Sequence, residues 1–329
     1  MIPNGPEYSI IIPTYRRPDP LRRCLEAITS LDFARDRFEV LVVDDGSGDP
    51  PLDVVASFES SLDVQLLRAR HGGPASARNT GARSARGRTL VFTDDDCLPR
   101  PDWLSAIDRW MSDRDEPIAV GGRVVNVLDD VCSAASQGIV DFLYEYYGEH
   151  PTAWRFFTSN NLAVPRAEFL DLGGFDAGFR RVAAEDRDLC ERWRAAGFDL
   201  HYAPDAVVGH AHTLGFRAFN RQHFVYGRGA VDLHRARARR GARALRLEPA
   251  RFYLGLMTYP LRRSRGARSV VLSALHAWSQ AAYASGYFFE RIRRGWTVDS
   301  ETDAGAGSAG GDAPDDTRAS NPSSMSGAA

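Results

Sequence analysis

Residues 38–47 read FEVLVVDDGS: a short, almost unbroken apolar run, then two aspartates, a glycine and a serine. A run this short and β-branched suits a strand buried on both faces, and the switch to turn-forming residues marks its carboxyl end. The pattern recurs on both sides. Upstream, YSIII at residues 8–12 stops at Pro13, and Leu21, Cys24, Leu25, Ile28 and Leu31 then fall at helical spacing over residues 20–31. Downstream, DVQLL at 63–67 predicts a third strand and the stretch from Pro74 to about Arg86 a helix. TLVFT at 89–93 predicts a further strand that ends in Asp94-Asp95-Asp96. Strands alternating with helices predict an α/β fold built on an open, mostly parallel sheet.

The second half is less regular. Residues 117–121, 161–164 and 200–209 read as strands. Residues 186–196 read as a helix with Leu189, Cys190, Trp193 and Ala196 on one face and Gly197 as its stop. An arginine-rich helical segment and an apolar stretch, Ser269–Phe289, follow. Residues 297–329 are Gly, Ala, Ser, Asp and Pro with almost no large apolar side chain, too little to offset the entropy of ordering, and are expected to be disordered.

The formal net charge is −2, so no global field points to nucleic acid, and none is expected as a partner. The average conceals an asymmetry: between Arg217 and Arg268 fourteen arginines face only Asp232 and Glu248. The chain has no lysine, which fits biased codon usage better than any function. Cys24, Cys97, Cys132 and Cys190 show no C-x-x-C spacing, so they read as buried thiols of a reducing compartment rather than zinc ligands. The N-terminal MIPNGPEYSIIIP lacks the basic and long apolar regions of a signal peptide, and a cytoplasmic location is expected.

Three early strands end in polar or special residues: Pro13-Thr14-Tyr15, Asp44-Asp45-Gly46-Ser47 and Asp94-Asp95-Asp96. In open α/β sheets ligands bind outside the carboxyl ends of the strands, so these clusters are expected to share one crevice. Taken alone, Asp44-Asp45-Gly46-Ser47 is as well explained as a turn. Three adjacent carboxylates repel one another and are best tolerated beside a cation. Their hard oxygens suit Mg²⁺ or Mn²⁺, which would bridge a diphosphate. Glu185-Asp186 opens a predicted helix, where acids are ordinary caps, but a carboxylate there also suits a general base. Gly72-Gly73-Pro74 reads as a loop and not as a phosphate-binding motif.

The ordered set SIIIPTYRR, VVDDGS, GGPASARNTGA, VFTDDDC, NNLAVPRAEFLDLGGFD and EDRDLCERWRAAGF resembles the glycosyltransferase family 2 catalytic domain over about residues 8–235. The resemblance implies a GT-A fold, that is, a Rossmann-like sheet flanked by helices, here with a C-terminal helical extension. It also implies transfer from a nucleoside-diphosphate sugar with inversion; a glycan or lipid-linked acceptor is expected, the latter if the C-terminal segment lies on a membrane surface. By the same resemblance Pro13, Thr14, Tyr15, Asp44, Asp45, Asp94 and Asp95 lie at the donor. Asp94 and Asp96 bind the metal with His210 (or His212), and Asp186 is the base. FNRQHFVYGRG at 219–229 only loosely matches the Gln-x-x-Arg-Trp segment of processive members, for Trp is missing; Arg228 or Arg221 would meet the diphosphate. The resemblance places Asn160-Asn161 and Gly173-Gly174-Phe175-Asp176 on the acceptor side. Tyr144, Tyr146, Tyr147 and Trp154 suit either sugar stacking or core packing. A sugar-phosphate nucleotidylyltransferase stays open, although PTYRRPDP lacks its glycine-rich loop, and so does a non-catalytic glycan-binding or scaffolding relative.

The organisation expected is thus a catalytic domain over 1–235, a basic and apolar helical extension over 236–296, and the tail. Arg262, Arg263, Arg265 and Arg268 precede Ser269–Phe289, and Arg291, Arg293 and Arg294 follow it. Embedded polar residues argue against a span. A helix lying on an anionic membrane surface and one packed on the domain both remain open.

Overall fold

The first half of the chain alternates as its apolar runs predict: β1 (Tyr8–Thr14), α1 (Pro18–Thr29), β2 (Phe38–Asp44), α2 (Leu52–Ala56), β3 (Val64–Arg68), α3 (Pro74–Ser84) and β4 (Thr89–Thr93). There follow β5 (Cys97–Pro99), α4 (Trp103–Met111), β6 (Ile118–Asn126), α5 (Val131–Gly148), β7 (Asn161–Pro165), α6 (Arg166–Asp171), α7 (Glu185–Ala195) and β8 (Asp199–His210). Three helices close the chain: α8 (Phe216–Arg239), α9 (Ala250–Arg263) and α10 (Ala267–Arg293). This computed structural model describes residues 5–112, 114, 116–148, 156–179, 184–242 and 247–294. Trp154 and the tail 297–329 lie outside the described residues.

One sheet runs β3-β2-β1-β4-β7-β6-β8-β5. The β1, β2, β3 and β4 pairings and β6–β8 are parallel; β4–β7, β6–β7 and β5–β8 are antiparallel. The central strands are covered on both faces, which is why they read as continuous apolar runs. Alternation sorts their side chains. Ile10, Ile12, Val40, Val42 and Val91 join α1 and α4 in one core, whereas Ile11, Leu41, Val43, Leu90 and Phe92 join α3, α6 and α7 in the other. All four cysteines are buried free thiols.

The antiparallel departure places the site. β5 follows the three aspartates and lies along the end of β8, with Cys97 opposite His210, and the Ala211 N–H donates to the Asp96 carbonyl at 2.9 Å. The C-terminal end of β8 is thereby laid against the carboxylate turn.

α8 runs through position 235, the boundary that the sequence suggests, and α10 packs along it. The two backbones nearly touch. A Cβ on Gly227 would stand 1.8 Å from the Tyr283 carbonyl oxygen, and one on Gly286 would stand 1.9 Å from that of Phe224. Glycine at both positions lets the helices approach this closely. Among the described residues no helix is long and apolar enough to cross a membrane.

Candidate active site

The carboxyl ends of β1, β2 and β4 open onto a single cleft of about 1920 Å³. Its walls include Pro13, Thr14, Tyr15, Asp45, Asp94, Asp95, Asp96, Asp186, His210 and His212. The strand-end clusters and the helix-start carboxylate do converge there.

The three aspartates divide their work. Asp95 is buried: it accepts the Thr14 hydroxyl at 2.7 Å and the Arg17 guanidinium at 2.8 Å. Burial raises its pKa to about 7, held there against the opposing pull of Arg17. Asp94 turns away from Asp96. Its Oδ1 takes Arg78 Nη2 at 2.6 Å, and the same guanidinium reaches Glu185 at 3.5 Å. Asp96 instead faces β8. His212 Nδ1 lies 3.1 Å from Oδ2 and His210 Nε2 lies 3.4 Å from Oδ1, with Arg17 Nη2 at 2.8 Å completing the cluster.

His210 and His212 are two residues apart on extended chain, so both project to one side, and their rings stack at 5.5 Å with 7° between planes. Ligand atoms of Asp96, His210 and His212 lie within 4.8 Å of one another. Burial disfavours ionisation of Asp96, but hydrogen bonds from both histidines outweigh it and hold the carboxyl far below the usual range. Burial likewise opposes the His210 imidazolium; its hydrogen bond and charge attraction to Asp96 win, and its pKa rises. The sequence pairs Asp94 with Asp96 and His210 as metal ligands. In the structure Asp96 and His210 group with His212, while Asp94 Oδ1 is paired with Arg78.

Of Asp44 and Asp45, Asp45 lines the cleft. Its two oxygens accept the Gly72 and Gly73 N–H groups, each at 2.9 Å, so these glycines face a carboxylate of the chain itself and not an open anion site. Asp44 is the last residue of β2; its carboxylate is buried and accepts the Ser47 N–H at 3.1 Å, closing the Asp44–Ser47 turn. Asp44, which the resemblance assigns to the donor together with Asp45, is not among the residues lining the cleft. Tyr15 stacks on His71 at 4.5 Å, forming an aromatic wall beside Asp45. The two non-glycine residues with positive φ, Arg16 at 55° and Ala184 at 82°, immediately follow Tyr15 and precede Glu185. Strained backbone of this kind persists where surrounding structure enforces it.

Asp186, half-buried at the first turn of α7, accepts the Arg187 N–H at 2.7 Å. Burial pushes its carboxyl pKa up, partly offset by Arg187 and Arg78. Asn160 also lines the cleft, and its Oδ1 is buried without a hydrogen-bond partner among the described residues. Asn161 is structural, accepting Trp103 Nε1 at 2.9 Å and donating to the Arg123 and Ala206 carbonyls. The Gly173–Asp176 segment is held by Asn79, which bonds both the N–H and the carbonyl of Phe175. Tyr144 and Tyr146 pack among other rings, while Tyr147 reaches the cleft.

Arg228 does not reach the cleft: its Nε is 2.7 Å from the buried Glu290 of α10. Arg221, two turns earlier on α8, lines it. Arg17, Arg78, His71 and His212 complete the site. Of these only His212 carried a sequence signal, as the alternative to His210.

Residues 9–187, more than half of the chain, match the model of glycosyl transferase family 2. The chain belongs to that family. It is 29% identical over 245 residues to the glycosyltransferase AglE of Haloferax volcanii, covering 69% of this chain and 74% of the relative. It is 29% identical over 240 residues to the pre-mycofactocin glycosyltransferase of Mycobacterium tuberculosis, and 30% over 223 residues to the validoxylamine A glucosyltransferase of Streptomyces hygroscopicus subsp. jinggangensis. These matches cover 70% and 59% of this chain but only about half of each relative, 49% and 53%. In fold it is similar to the mannosyltransferase PcManGT of Pyrobaculum calidifontis, solved with GDP-Man and Mn²⁺, at TM-score 0.60 and 22% identity over 87% of this chain and 88% of that one. The family 2 chain is thus a GT-A glycosyltransferase, and the nucleotidylyltransferase and non-catalytic readings fall away.

Proposed function

We propose that this glycosyltransferase moves a sugar from a nucleoside-diphosphate donor to a hydroxyl of a glycan or lipid-linked acceptor, with inversion and with a divalent cation. The carrying observation is that one cleft holds both the Asp96–His210–His212 group and Asp186. Two imidazoles and a carboxylate fit Mn²⁺ better than Mg²⁺, which prefers oxygen ligands throughout. A cation held there would supply charge stabilisation to the departing diphosphate. The Mn²⁺ and GDP-Man of the Pyrobaculum calidifontis neighbour are in keeping with that assignment.

Arg17, forked over Asp95 and Asp96, and Arg221 at the rim offer guanidinium groups to phosphate oxygens. Tyr15, His71 and Asp45 offer a ring face and a fixed carboxylate to the nucleoside. Asn160 Oδ1 offers an unpaired acceptor to a sugar hydroxyl. The acceptor oxygen attacks the anomeric carbon opposite the diphosphate: one C–O bond forms, the bond to diphosphate breaks, and Asp186 takes the hydroxyl proton. Its raised pKa suits a base, since proton affinity grows with pKa. The cleft lining also includes Val140, Leu143, Phe252, Leu256 and Tyr283, apolar surface that favours an acceptor with a hydrophobic portion over a free glycan.

Binding of a panel of nucleotide sugars with and without Mn²⁺, alongside turnover of Asp186→Asn, tests this reading. The variant is expected to bind donor normally and to lose roughly 10²–10⁴-fold in turnover. Normal turnover at saturation with weakened donor binding would make Asp186 a binding residue.

A further inference from the structure

α10 is built inside out. Its buried side carries Ser269, His276, Ser279, Ala282, Gly286 and Glu290, all small or polar, together with Leu275. Its outward side runs Val271, Ala274, Trp278, Ala281, Ser285, Phe288 and Ile292, spaced alternately by three and four residues, as one face of a helix must be. Val270, Val271, Trp278, Phe288, Phe289 and Ile292 are 47–67% exposed, half of the large exposed apolar side chains among the described residues. The helix is about 40 Å long at 1.5 Å per residue, and its outward face carries no charge between Arg268 and Arg291. Patches of this extent on a soluble face mark a contact surface.

The charge around the patch identifies the partner. Residues 247–294 contain eight arginines and only two acids, Glu248 and Glu290, and Glu290 is buried. Both ends of α10 are arginine: Arg262, Arg263, Arg265 and Arg268 at one, Arg291, Arg293 and Arg294 at the other. A second copy docked on this face would set arginines against arginines whichever way the helices ran. An anionic surface with an apolar interior meets both features. We propose that the outward face of α10 lies in the headgroup region of an anionic lipid membrane, its apolar stripe dipping toward the acyl chains and its flanking arginines on the lipid phosphates. α10 is too polar to span, so it lies along the surface. Phe288 also lines the catalytic cleft, so docking would bring that wall of the cleft to the membrane. The inference stands on this surface alone and does not depend on which sugar is transferred.

Co-sedimentation of the full chain with phosphatidylglycerol vesicles, against phosphatidylcholine vesicles, tests it. Each arginine near an anionic surface is worth about fivefold in partitioning. Binding to the anionic vesicles at low salt is therefore expected to exceed that to the neutral ones at least tenfold and to fall as salt is raised. The combined variant Val271→Glu, Trp278→Glu, Ile292→Glu changes only exposed positions. It is expected to keep its circular dichroism and Tm and to lose vesicle binding tenfold or more. Trp278→Phe is expected to remove the blue shift in tryptophan emission that accompanies binding. Three results would overturn the proposal. One is equal recovery in the supernatant with and without anionic lipid. Another is binding that appears only after removal of residues 295–329, which would make the chain's own acidic end the occupant. The third is a concentration-dependent dimer abolished by the triple variant without any vesicle binding.

Discussion

Arg78 is the hinge of the acidic side of the cleft, and replacing it by methionine is the sharpest test of how that side is held. Its guanidinium is buried on α3, 2.6 Å from Asp94 and 3.5 Å from Glu185. Glu185 is buried as well, so Arg78→Met takes a cation away from a carboxylate in low dielectric. Breaking a buried pair from one side costs about 3–5 kcal/mol. Asp94 is 30% exposed and retains water, so the lower figure is expected, about 3 kcal/mol or roughly 6–12 °C in Tm. Arg78 also lowers the Asp186 pKa through its charge. Its removal lets burial push that carboxyl higher still. A base works only when ionised, so the acidic limb of the pH–rate profile is expected to move to higher pH. The assay is urea or thermal unfolding together with kcat from pH 5 to 9. Adding Glu185→Gln is expected to restore part of the stability but not the profile, because it removes a buried negative charge without returning the cation. Stability within about 0.5 kcal/mol of the parent, the ordinary range for surface changes, together with an unmoved acidic limb, would refute the reasoning.

Mn²⁺ binding is expected to tighten with pH, by up to about tenfold per unit, while the ion displaces one proton from His210. The window lies below the raised His210 pKa, and calorimetric titration at several pH values reads it. In the metal-free chain the sign for stability is opposite. The His210–Asp96 pair contributes fully below the ordinary histidine value and loses its contribution as pH rises through the elevated one. Asp96→Ala is expected to abolish both Mn²⁺ binding and turnover; wild-type turnover would disprove the metal role. Gly286→Leu drives a side chain into the Phe224 carbonyl and is expected to cost about 3 kcal/mol, at the upper end of overpacking penalties. A neutral effect on Tm would show that α8 and α10 do not pack this closely. Arg228→Met removes the 2.7 Å partner of the buried Glu290, which also meets Arg293, and is expected to cost about 1–3 kcal/mol at unchanged donor affinity. A raised donor Kd at unchanged Tm would return Arg228 to the cleft.

What could be read from the sequence, and what could not, divides along lines that the geometry explains. The strand ends were legible because burial on both faces leaves a pure apolar run, and the polar residue that ends it must lie at the sheet's edge. Thr14, Asp45 and the three aspartates follow directly. Which of two neighbours faces the cleft turns on a single step of alternation: Asp44 ends β2 and folds back on Ser47, and Asp45 is turned out. Arg17 and Arg78 could not be singled out, because in a chain with no lysine every cation is an arginine, and only tertiary contact reveals which are buried. Arg221 and Arg228 are seven residues apart and share a face of α8, so periodicity cannot separate them. The crossing of α10 at Gly227 does, by setting Glu290 against the second.

α10 defeats pattern reading for a different reason. Hydrophobic periodicity predicts which residues of a helix are alike, and it assigns the apolar set to the core by presumption. Here the presumption inverts. The close backbone approach at Gly227 and Gly286 favours small side chains on the buried side, where serine, glycine and alanine accompany Leu275, Glu290 and His276, the last bonded to the Leu256 and Ala135 carbonyls. The large apolar residues are displaced to the outside by this packing. A helix that buries its small residues against the protein and turns tryptophan and phenylalanine outward between arginines presents two faces for contact, the inner one to α8 and the outer one, under the proposal above, to an anionic membrane.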